Sequence, residues 1–163
     1  MIKLLYWIYL NLIRKWSSPL LYYIINLFEG ELPDQWNTIK HFNQKEFEKE
    51  INQYPYRWDY KKGIIDFSLQ DPDFFFREGK YWRDCDDFAR MWYWWAQENN
   101  YKVWEVCLCK GFKKAHFITI FKKGEKFILC NYNLSGEYDS LEKAIKSVKN
   151  YNDYLIYRKS GDE

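Results

Sequence analysis

The chain has 163 residues, of which 47% are apolar and 29% charged, with a formal net charge of +2. That is enough for one globular domain with one sizeable core. The small charge, with no run of more than two Lys or Arg residues, gives nucleic-acid binding no footing.

Leu4 to Ile13 is apolar except for Asn11. Arg14, Lys15, Ser17, Ser18 and Pro19 interrupt the run, and Leu20 to Phe28 resumes it. Neither piece reaches the roughly 18–20 apolar residues of a spanning helix. Trp16-Ser17-Ser18-Pro19 also makes a poor signal-peptide cleavage site. The pattern predicts an apolar helical segment over residues 1–29, separate from a domain over 30–163. Its helices, at about 3–15 and 20–28, are expected to pack on the domain through Leu5, Ile8, Leu12, Leu21, Ile24 and Ile25. Contact with a membrane surface is the alternative.

Residues 30–38, with Gly30, Pro33, Asp34 and Asn37, read as a loop, and His41 as a solvated residue. Phe42 to Tyr54 reads as a helix with Phe47 and Ile51 on one face, ended by Pro55. Residues 55–83, with Gly63, Pro72 and Gly79, read as a long irregular stretch, often a functional feature in a compact domain. Asp84 opens a helix to residue 98. Asp84 and Asp87 have the spacing of a cap and its N3 partner, and Phe88, Met91, Trp92 and Trp95 define a buried face. Strands are expected at 103–110, 115–122 and 125–132. Asp139 and Glu142 read as a capping pair for a helix to about Asn150, and Tyr154 to Tyr157 as a last strand. This order predicts an α+β fold with an antiparallel sheet. The 9 Trp, 15 Tyr and 12 Phe read as a core of large side chains, or in part as an exposed groove for a substrate.

Cys85 would be the first residue of the 84–98 helix. Free backbone N–H groups and the positive end of the helix dipole favour a thiolate there, and the Cys85 N–H is placed to stabilise an oxyanion. Asp84, Asp86 and Asp87 oppose the thiolate, so a nearby imidazolium is required to offset them. The chain has two histidines, and only His116 lies on an expected strand. A two-residue turn at Lys123-Gly124 pairs Lys122 with Glu125. In that register His116 faces Asn131, and Phe117 faces Cys130 on the other side. Asn131 would then orient one ring nitrogen and leave the other for the thiol. The four cysteines (Cys85, Cys107, Cys109 and Cys130) are not needed as disulfide staples at this size and fit a reducing, cytoplasmic compartment. Cys107, Cys109, Cys130 and His116 lack the ligand spacing of a structural zinc site, so they are read as buried small residues and a catalytic histidine.

Asp84-Cys85-Asp86-Asp87-Phe88-Ala89, a strand bearing His116, and Phe127-Ile128-Leu129-Cys130-Asn131 together resemble the transglutaminase-like superfamily. Bacterial and phage transglutaminase-like cysteine proteinases are the nearest resemblance, covering about residues 70–135. It implies a papain-like α+β fold, Cys85 as nucleophile, His116 as base and acid, and Asn131 as orienter. The third member is Asp in many relatives, so Asn131 is a departure. The resemblance puts a second oxyanion donor just before the cysteine, at Trp82 or Arg83. It also implies a calcium role for Asp84 and Asp86, against which helix capping is the simpler reading; no cofactor is expected otherwise. The expected partner is a peptide or protein substrate. Three activities share this pattern: a cysteine hydrolase working through an acyl-thioester, a transamidase using an amine in place of water, and a binding or structural module without turnover.

Overall fold

The computed structural model describes residues 35–56, 75–76, 83–110 and 114–160. The helices expected at 3–15 and 20–28, residue Trp82 and most of the 55–83 stretch lie outside the described residues. Among those described, four helices and five strands form one α+β unit. In chain order these are α1 (Trp36–Ile39), α2 (Gln44–Ile51), α3 (Cys85–Glu98), β1 (Lys102–Lys110), β2 (Lys114–Lys123), β3 (Lys126–Asn131), β4 (Asn133–Tyr138), α4 (Leu141–Ser147) and β5 (Asp153–Ser160).

The five strands make one antiparallel sheet in the order β4-β3-β2-β1-β5. Strand β1 is interior, between β2 and β5, and is buried continuously from Val103 to Cys109, because both faces of the sheet are covered. Side chains alternate across a strand. Val103, Glu105, Cys107 and Cys109 therefore face α3, while Trp104, Val106 and Leu108 face α4. On the α3 side, Phe88, Met91, Trp92 and Trp95 pack with Trp36, Phe47, Ile51, Phe121 and Ile128. The aromatic contacts there include Phe47 stacked on Trp95 at 5.4 Å and edge-on to Trp92 at 5.0 Å. Ala144 and Ile145 of α4 close the other face over Val106, Leu108, Ile118, Ile120 and Leu129.

Two polar devices fix α3 on the sheet. The buried Arg90 guanidinium makes a bidentate pair with the buried Glu105 carboxylate, both contacts 2.9 Å. The Thr119 hydroxyl donates to the Ala89 carbonyl. Together they set residues 89–90 above Glu105 and Thr119, which are themselves paired. The first turn of α3 then falls toward the end of β1 and the start of β2.

Several sequence expectations need correction. The 30–38 loop contains α1, held by Trp36 and Ile39 in the core. The helix expected over 42–54 is shorter, because Asn43 caps it and turn residues follow Ile51. The β2–β3 turn is Gly124-Glu125, with Gly124 at φ +58° and Lys123 paired with Lys126. The register is therefore two residues away from the expected one, and Cys130 faces Thr119 rather than Phe117. An unexpected strand, β4, follows β3 after a reversal at Tyr132 (φ +71°). Ser140 caps α4, accepting from the Lys143 N–H, so the Asp139–Glu142 capping pair is not formed. Asp139 binds Lys126 and Lys143 instead. Finally, α4 stops at Ser147 and β5 runs longer than 154–157.

Candidate active site

Cys85 occupies the first helical position of α3. Asp84 caps the helix, its side chain accepting from the Asp86 N–H, while the Asp87 carboxylate accepts from the Asp84 N–H at 3.1 Å. This reciprocal box satisfies backbone donors that a helix start otherwise leaves open. It also shows what the flanking acids do: Asp84 and Asp87 shape the helix start. All four residues, Asp84 to Asp87, are buried.

The Cys85 side chain packs in a small cluster with Ala89, Cys107, Cys109 and Phe117, bordered by Tyr56, Ala115, Leu155 and Tyr157. Ala115 and Phe117 are the chain neighbours of His116, so the start of β2 passes beside the cysteine, with His116 itself, the partner of Leu108, on the α4 face of the sheet. All four cysteines are free and buried. The Cys107 and Cys109 sulfurs lie 3.9 Å apart on one face of β1. Cys130 sits in the larger aromatic core instead, where burial, then the charge of Glu48, pushes its thiol pKa up.

His116 and Asn131 are brought together. The His116 Nε2 lies 2.6 Å from the Asn131 Oδ1. The β2–β3 ladder ends at Thr119 and Cys130, so Asn131 comes just past its end. His116 is its diagonal neighbour rather than its direct partner. Diagonal Cα atoms are about 7–8 Å apart on one face, within reach of an imidazole and an amide. The two-residue shift in register preserved the shared face. Because Asn Oδ1 can only accept, Nε2 must carry the proton in this contact, and Nδ1 is then the basic nitrogen. The reversal that ends β3 holds Asn131 in place. Tyr132 packs on Phe88 at 4.3 Å and on Tyr56 at 5.3 Å, and its carbonyl accepts from Trp92 Nε1 at 3.2 Å.

Two tyrosines belong to this region that the sequence did not single out. The Tyr56 phenol has its pKa pushed up, first by burial, then by negative charge at Cys85 and Asp84, with a hydrogen bond to Cys85 adding to it. Tyr151 stacks on the His116 ring at 5.7 Å and 16°. Its pKa is also raised, by burial first and then by Cys85 and Cys107. Neither tyrosine sits in a motif. Tyr56 does begin the long irregular stretch, and its backbone bridges to Arg83.

Of the two residues expected to supply a second oxyanion donor, Trp82 lies outside the described residues. Arg83 is buried, and its side chain is turned away to structural work: Nε donates to the Phe75 carbonyl, and the guanidinium lies over Tyr54 and Phe75. Only its backbone could serve an oxyanion. Asp84, Cys85 and Asp86 bring one ligand atom each within 4.8 Å of one another. Two carboxylates and a soft sulfur fall well short of the roughly six to eight oxygens that calcium takes, and Asp84 is already committed to the helix cap. His41 is exposed, in keeping with a solvated residue. Among the described residues, no helix is long and apolar enough to cross a membrane.

No protein-family model matches the chain, and neither a curated protein nor a solved structure matches it.

Proposed function

We propose that the protein is a cysteine hydrolase that cleaves a peptide or amide bond, on a papain-like architecture of the transglutaminase-like kind. The observation that carries this reading is the 2.6 Å contact between His116 and Asn131 at the same end of the sheet as the cluster around Cys85. Cys85 opens α3 on one face of that sheet end, while His116, the strand partner of Leu108, stands with Asn131 toward the α4 face, so a nucleophile, base and orienter set requires the His116 ring to reach around the end of the sheet to the sulfur.

In this mechanism the Cys85 thiol gives its proton to His116 Nδ1, and the sulfur attacks the substrate carbonyl. The Cys85 N–H, at the first position of α3, donates to the developing oxyanion. The tetrahedral intermediate collapses as the Nδ1 proton passes to the leaving amine, giving a thioester. Water then gives a proton to Nδ1 and attacks the thioester. A second collapse returns the proton to sulfur and releases the acid. Asn131 holds Nε2 throughout, keeping Nδ1 basic, although an amide stabilises the imidazolium less than a carboxylate would.

The test is site-resolved alkylation with iodoacetamide. Cys85 should react fastest of the four cysteines, and His116→Ala should slow Cys85 strongly while leaving the other three slow. Turnover of a peptide amide by the full chain should fall by about 10²–10⁴-fold in His116→Ala, the usual range for a general base. Equal alkylation rates at all four sites would overturn the reading.

A further inference from the structure

A cavity of about 190 Å³ opens beside the proposed site, on the α4 face of the sheet. Buried Leu108 and Ile145 form its floor, Val148 and Tyr151 line its wall, and exposed Lys146 and Tyr154 stand at its rim. Tyr151 is common to the cavity and the site, since the same ring stacks on His116. The rim charges are already engaged. Lys146 Nζ lies 2.6 Å from Glu142 Oε1, and the Asp153 carboxylate accepts from the Tyr154 N–H.

We propose that this cavity is a specificity subsite that takes one aromatic side chain of the substrate, from a residue flanking the scissile amide. The inference rests on the proposed hydrolase reading. Size is the first argument: pockets for drug-sized ligands run to roughly 300–1,000 Å³, whereas about 150 Å³ suffices for a benzene ring in an apolar cavity. The space therefore suits one ring and no cofactor. Chemistry is the second. An aliphatic floor rewards apolar burial, and the Tyr151 ring offers an aromatic face for offset or edge contact. Position is the third. The Tyr151 ring joins the cavity to the proposed base, because it lines the one and stacks on the other, His116. Exposed Tyr154 and Ile156 continue the apolar surface along β5 beyond the cavity.

The test compares two probes on the full chain, N-acetyl-phenylalanyl and N-acetyl-glycyl chloromethyl ketone. The Cys85 thiolate displaces chloride from either, and the thioether is quantified by mass spectrometry. Each rate is divided by the same protein's iodoacetamide rate at Cys85. The phenylalanyl probe should be favoured at least about tenfold, the lower end of what an apolar pocket discriminates. Val148→Trp, which fills the cavity, should bring the ratio toward one. Lys146→Trp, at an exposed rim position, should do the same and serves if Val148→Trp fails to fold. A ratio near one in the wild type, or a high ratio kept in both variants, overturns the subsite and leaves the hydrolase reading standing. If Cys85 instead reacts no faster than the other thiols, the hydrolase reading falls. The cavity is then judged by titrating N-acetyl-phenylalaninamide and following amide NMR shifts. Saturable shifts at Tyr151 and Val148, lost in Lys146→Trp, support an aromatic site; their absence overturns it.

Discussion

Helices α3 and α4 cover opposite faces of one sheet, and each opens on a side-chain cap followed by acid in its first turn, Asp86 and Asp87 in α3 and Glu142 in α4. Around α3 the polar groups are taken inside. Asp84, Asp86 and Asp87 are buried, and the Arg90–Glu105 pair is sealed from water. Around α4 they are left in water. Asp139 and Glu142 are exposed and reach lysines on the surface. Similar local sequence thus produces two environments, and the environment decides what the charges are worth. Exposed pairs are screened by solvent and hold two long side chains in place at an entropic cost. Buried ones resist removal of either partner, because the survivor keeps its desolvation penalty. The candidate nucleophile stands on the buried helix start, where its surroundings are fixed.

The sharpest break in this comparison is Arg90→Met. It leaves Glu105 buried with Arg158 as its remaining ion-pair partner among the described residues, at 3.8 Å. Urea unfolding should show a loss of about 3–5 kcal/mol, toward the lower end because Arg158 compensates in part. The double variant Arg90→Met/Glu105→Met should recover much of it. The matching change on α4, Lys146→Met, removes an exposed partner of Glu142 and should leave the unfolding midpoint unmoved. If the two single variants cost the same, the contrast between the helices is wrong.

Caps come next. Asp84→Ala should cost about 1–2 kcal/mol and Ser140→Ala about 0.5–1 kcal/mol, the two parts of the usual capping range. The order follows from burial: the donors that Asp84 leaves behind have less access to water than those at Ser140. The same variant reads on the site, because Asp84 positions the first turn that carries Cys85. Asp84→Asn, which keeps a capping oxygen, should restore most of both stability and Cys85 alkylation rate. A reversed order, measured by urea unfolding, would show that water reaches the start of α3.

The parts of this molecule that the sequence made legible are those set by local rules. Asp84 and Asp87 announced the α3 cap, and the spacing of Phe88, Met91, Trp92 and Trp95 announced its buried face. The pairing of His116 with Asn131 was legible by face but not by register. A two-residue turn can place its glycine first or second, and the sequence does not choose between Lys123-Gly124 and Gly124-Glu125. Slipping by two keeps every side chain on its face, so the pair survived the error. Strand β4 was hidden because its reversal uses Tyr132, not glycine, at positive φ. Packing against Phe88 and the Trp92 bond to its carbonyl accompany that conformation, and both are contacts from distant sequence. Tyr56 and Tyr151 join the site for the same kind of reason. Arg90 was partly readable, as a charge among the apolar residues of α3, but its partner on β1 was not.

The smallest expected effect concerns Asp139, and its value lies in the sign. Hydrogen bonds from Lys126 and Lys143, then the charges of the same lysines, hold its carboxyl below the usual carboxylate range. A pKa lowered in the folded state means that the unfolded state binds the proton more readily. The contribution is therefore present above the ordinary aspartate range and is lost as pH falls through the lowered folded value. Asp139 is exposed, so solvent and salt screen the interaction. Thermal unfolding should show Asp139→Asn slightly less stable than wild type at neutral pH and low salt, by less than Ser140→Ala. The difference should shrink in high salt and vanish once the medium is acidic enough to protonate Asp139 in both states. A deficit that grows toward acid, or that persists unchanged in salt, would mean Asp139 acts through something other than its two lysines. The solvated character assigned to the start of α4 would then have to be given up.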